Sequence, residues 1–94
     1  MNLQFFKDSL SANKIPSSLS VYLQALWQDA AGNWEEAHQL IQDMEDQKAA
    51  WIHAYLHRKE GDTVNADYWY RKAGKLRPSV PVTQEWDDLV KAFL

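Results

Sequence analysis

His53 and His57 stand one helical turn apart in the segment WIHAYLHRKEGD. On a helix both imidazoles share a face with Cβ atoms about 5–6 Å apart, within reach of one metal ion. Glu60 follows at one further turn and Asp62 just beyond it. Imidazole and carboxylate donors suit an ion such as zinc or iron, so His53, His57 and Glu60 form a candidate metal set, with Asp62 beside it. Such a set belongs to a small metal-dependent hydrolase or ligand-binding domain. It is not an HExxH arrangement, because Ala54 rather than a glutamate follows His53, and the remaining histidine, His38, is distant in sequence. The first expectation for the two rings is nonetheless that they are neutral packing residues bonded to a partner such as Asn65 or Tyr68, with no metal bound and the metal set as the alternative. As neutral packing residues they should make the fold sensitive to acid.

No other constellation points to a reaction. The chain has no GxSxG string and no glycine-rich phosphate loop. Asp87 and Asp88 are neighbours on a helix and point in different directions, which fits solvent exposure. Catalysis and a cofactor are therefore not expected.

The elements that position these residues are helical throughout. A short first helix spans about Leu3 to Leu10, with Leu3, Phe6 and Leu10 on one face, and Pro16 breaks the chain after it. Ser17 or Ser18 is expected to cap a second helix reaching about Ala31, with Leu19, Leu23, Leu26 and Ala30 in its stripe. Gly32 ends it, and Asn33 with Glu36 matches a capping box for a third helix carrying Trp34, Ala37, Leu40, Ile41 and Met44. Asp46 and Asp62 cap helices over about 47–60 and 63–75, with Gly61 between them. After Pro78 and Pro81, Thr83 is expected to cap a last helix presenting Trp86, Leu89, Val90 and Phe93. The expected class is all-α, with about six helices in one domain over 1–94.

The composition fits that class. The 94 residues are 46% hydrophobic and 24% charged, which matches an ordinary globular chain. A net charge of −3 gives no general attraction to nucleic acid or to an anionic membrane, so neither is an expected partner. Acidic residues from Asp29 to Asp46 precede a section with Arg58, Lys59, Arg71, Lys72, Lys75 and Arg77, as solvated helix faces or a bipolar surface would. Cysteine is absent, which excludes disulfides and thiolate sites. The start MNLQFFKDSL lacks the charge and apolar pattern of a secretory leader, so the cytoplasm is the expected compartment.

The chain repeats itself. Gly32, Asn33 and Ala37 recur 29 residues later as Gly61, Asp62 and Ala66, and Ala25 recurs as Ala54. At these residues, with Tyr70, Ala73 and Pro78, the chain resembles the tetratricopeptide repeat family. The match covers about Leu19 to Pro78, in a TPR-like or Sel1-like variant with a spacing shorter than the family's usual period of about 34 residues. The string HAYLHRKEGD followed by NA and YWYR also resembles the signature of a family of small uncharacterised proteins, which brings no activity with it.

The TPR resemblance implies two hairpins, about 18–44 and 47–76, with a short N-terminal helix and a C-terminal helix over about 83–94 as caps. It also implies a groove on the first helix of each hairpin. Tyr22, Leu26 and Asp29 map to that groove in the first unit, and Lys48, Trp51, Tyr55, Arg58 and Lys59 in the second. Aromatic rings beside cations suit an extended peptide, with Arg58 pairing a carboxylate. The first expectation is therefore a protein or peptide interaction module, or a homodimer joined through an aromatic face. Tyr22, Leu26, Trp51, Tyr55, Arg58 and Lys59 are its expected contacts. The alternative reading of the same face is a core covered by the terminal helices.

Overall fold

A computed structural model of all 94 residues turns the six amphipathic segments into six α-helices and no strand. They are α1 (Leu3–Ser11), α2 (Val21–Ala30), α3 (Trp34–Ile41), α4 (Gln47–Lys59), α5 (Thr63–Lys72) and α6 (Val82–Phe93). None is long and apolar enough to cross a membrane.

The repeated glycines end α2 and α4 in the same way. Gly32 and Gly61 take φ of 91° and 89°, a left-handed conformation that a Cβ would strain. Behind each, one amide bonds back across the last turn: Asn33 N–H to the Gln28 carbonyl at 2.8 Å, and Asp62 N–H to the His57 carbonyl at 2.9 Å. The chain reverses and the next helix lies against the previous one. Ala25, Ala37, Ala54 and Ala66 are fully buried, so the facing helices meet on side chains small enough for close approach. Thus α2 pairs with α3 and α4 with α5.

Asp46 and Asp62 cap α4 and α5 as expected, accepting from Ala49 N–H and Asn65 N–H at 3.2 Å each. Other boundaries differ. Ser20, not Ser17 or Ser18, caps α2 by accepting from Leu23 N–H at 3.3 Å, while Ser18 lies in the preceding turn at φ 63°. Asn33 makes no capping bond, because its side-chain amide donates to Gln28 Oε1 at 2.9 Å. The helix of Met44 stops at Ile41, and α5 stops at Lys72, ahead of the left-handed Gly74. Pro81 rather than Thr83 opens α6, its carbonyl accepting from the Gln84 and Glu85 amides.

The core gathers Leu23, Leu26, Ile41, Ile52, Leu56, Leu89 and Val90, all from apolar stripes, with Phe6 of α1 entering against Trp86 of α6. Each such side chain contributes about 1.5–3 kcal/mol by leaving water. Serine links α1 to the hairpins: Trp27 Nε1–H donates to Ser9 Oγ at 3.0 Å.

Candidate metal centre

The groove face of α2 and α4 is occupied by α6. Leu26 is fully buried and its carbonyl accepts from Trp86 Nε1–H at 3.0 Å, and Tyr55 is buried with its hydroxyl on Asp29 at 2.7 Å. Phe93 lies against the rings of Tyr22 and Trp51 at centroid distances of 5.4 and 5.7 Å. At the centre is Glu85, 1% exposed, which accepts from Trp51 Nε1–H at 3.2 Å, Arg58 Nη1–H at 2.9 Å and Tyr70 O–H at 2.7 Å. Arg58 also donates to the Val80 carbonyl.

The residues expected to grip a partner are therefore committed within the chain. Leu26 and Tyr55 are core; Trp51 and Arg58 clamp α6; Lys59 pairs with the buried Asp29 at 2.8 Å. Tyr22 donates to Asp46 at 2.8 Å, and Lys48 sits over the Tyr22 ring at 5.8 Å. Burial and the neighbouring Asp29 push the Tyr55 phenol well above its usual range, and burial with Glu85 does the same to Tyr70, so both remain hydrogen-bond donors at all ordinary pH. A cleft of about 310 Å³ stays open beside Lys7, Asp29, Tyr55, Lys59, Trp86 and Asp87. Its charges are already paired, Lys7 with Asp87 at 3.2 Å and Lys59 with Asp29.

The histidines tell a different story. Packing of α3 on α4 brings His38 onto His53 and His57, joining all three of the chain's histidines. One ring nitrogen from each lies within 4.8 Å of the others. The Nε2 atoms of His38 and His53 stand 3.1 Å apart. Two imidazole nitrogens on a tetrahedral zinc ion, each about 2.0–2.1 Å from it, are separated by about 3.3 Å. No family model, curated protein or solved structure matches the chain. The reading of this site rests on its geometry.

Two tryptophans wall the cluster. The Trp34 ring stacks on His38 at 5.0 Å and 8°, and Trp69 stacks on His53 at 3.8 Å and 16°. Trp34 is held by donating Nε1–H to the Leu56 carbonyl at 2.9 Å. His53 and His57 are 5% and 7% exposed. Burial, with His38, His57 and Lys72 nearby, lowers the His53 pKa to about 3. His38 is lowered as well, by burial and by His57, against opposing pulls from Glu35 and Glu60. Both rings are neutral at pH 7, the state in which imidazole ligates a metal.

Glu60 and Asp62 fall outside the three-ring cluster. They form a separate trio with His57, at the exposed turn between α4 and α5. Glu60 meets His57 Nδ1 at 2.6 Å, while Asn65 Nδ2 lies 3.4 Å from His57 Nε2. The structure thus brings His38, rather than Glu60, together with both His53 and His57. Asn65 is the expected partner of a histidine, whereas the expected Tyr68 stacks edge-on against Trp69 at 5.3 Å. His38 was hidden because it comes from the other hairpin; its one sequence signal is that Trp34 and His38, at i and i+4, share a face of α3.

Proposed function

We propose that the protein binds one divalent transition ion of the zinc class through His38, His53 and His57. The observation that carries this reading is the convergence of three ring nitrogens within 4.8 Å of one another. Three imidazole ligands without sulfur suit Zn²⁺, Co²⁺, Ni²⁺ or Cu²⁺ over Mg²⁺ or Ca²⁺. They also leave one tetrahedral position for water or an outside ligand, as in reactive rather than sealed zinc sites. No carboxylate lies within that distance of all three rings, so this reading assigns the three imidazoles as the protein ligands. Recognition of a peptide by the TPR-like groove would require α6 to lift from Glu85's three partners, and ranks second.

Isothermal titration of untagged protein with Zn²⁺ should give one site per chain with micromolar or tighter affinity, and His53→Ala should weaken it at least 100-fold. A wild type that takes up no zinc, or a His53→Ala variant that binds equally well, contradicts the reading.

A further inference from the structure

We propose, building on that metal-binding reading, that Glu60 is a positioning residue: it fixes the proton of His57 on Nδ1 and so turns Nε2 toward the ion. Glu60 makes the cluster's short bond to His57 Nδ1, at 2.6 Å, and a carboxylate at that distance accepts the ring N–H in a charge-assisted bond. Its oxygens do not form a shared group with His38 and His53, so Glu60 is assigned as a partner of the ligand ring and not as a ligand. On the opposite side of the ring, the Asn65 amide nitrogen at 3.4 Å faces Nε2, as a donor faces a lone pair. Both neighbours therefore select the same tautomer. An ion would take the lone pair that Asn65 now faces.

The chain supplies this pairing through ordinary helix geometry. Glu60 lies three residues after His57, at the C-cap of α4, and its side chain reaches back to the ring above. Asn65 comes from the first turn of α5, held by the Asp62 cap. Neither residue needs to touch the ion to control it. Partners of this kind that orient a ligating histidine are typically worth about 10–100-fold in metal affinity.

The test combines two measurements on untagged Glu60→Ala and Glu60→Gln variants. Long-range ¹H–¹⁵N NMR of the metal-free protein reads the His57 tautomer, and competition with a chelating dye reads Zn²⁺ affinity and stoichiometry. Wild type should carry the proton on Nδ1. Glu60→Ala should shift His57 toward the Nε2–H tautomer and bind zinc about 10–100-fold more weakly, still at one ion per chain. Glu60→Gln, whose amide oxygen still accepts from Nδ1–H, should keep the tautomer and recover most of the affinity. An unchanged tautomer and affinity in Glu60→Ala overturns the proposal, and so does a second zinc ion lost on that substitution, which would make Glu60 a ligand. Wild type that binds no zinc overturns the metal reading itself, and with it the role assigned to Glu60.

Discussion

Replacing Arg58 with methionine should cost about 3–5 kcal/mol of stability, because it leaves the Glu85 carboxylate buried without its cation. Glu85 is 1% exposed and its remaining partners, Tyr70 O–H and Trp51 Nε1–H, are neutral. Methionine retains much of the apolar stem, so the loss reports the charge rather than a cavity. For a chain of this size that corresponds to a fall in Tm of more than about 10 °C. The double variant Arg58→Met/Glu85→Gln separates the causes: its amide oxygen still accepts from Tyr70 and Trp51, and it should be more stable than Arg58→Met alone. Urea melts of the three proteins make the comparison. A single variant within about 1 kcal/mol of wild type would mean that α6 is not held through Glu85.

Acid should weaken the fold through the histidine cluster. An unfolded histidine titrates near pH 6.5, whereas His53 in the fold titrates at about 3. Between those values the unfolded chain binds a proton that the folded chain refuses. The His53 contribution is therefore complete above pH 6.5 and is lost progressively as pH falls toward 3. At pH 5 the loss from His53 is about 2 kcal/mol, or roughly 10 °C in Tm. His38, also lowered, adds to it in the same direction. The groups facing His53 are His38, His57 and Lys72, so no carboxylate relieves the charge there. His53→Gln removes the titration, and its drop in Tm between pH 7.5 and 5.0 should be clearly smaller than that of wild type. Equal drops in the two proteins would rule out a buried neutral His53.

The helices were readable because their signals are local. Gly32 and Gly61 each need a backbone that glycine adopts freely, and Asp46 and Asp62 bond to amides three residues away. The repeated alanines marked the faces on which the helices meet. Signals that depend on what else is near were less clear. Asn33 has the right neighbour for a capping box, yet Gln28 takes its side chain across the turn. Pro81, by opening α6 itself, pre-empts Thr83.

The site was half legible for the same reason. His53 and His57 share one helix, so their proximity follows from spacing alone. His38 lies 15 residues before His53 and arrives only when α3 packs on α4. Spacing also nominated Glu60, which does reach His57, at Nδ1, but does not join His38 and His53. Along the groove, Trp51, Tyr55 and Arg58 have the chemistry of an interface whether the occupant is a partner or the chain's own last helix. Glu85 decides in favour of α6, and nothing in the sequence of α4 announces it. A carboxylate inside an otherwise apolar stripe of α6 was the available clue.

His38 gives the most direct test of the metal-binding account, because helical spacing alone would never select it. Untagged protein titrated with Co²⁺ should develop the visible absorption bands of tetrahedral cobalt, saturating at one equivalent per chain, and His38→Ala should lose them. Absence of those bands in wild type, or the same spectrum in His38→Ala, would contradict a three-histidine site.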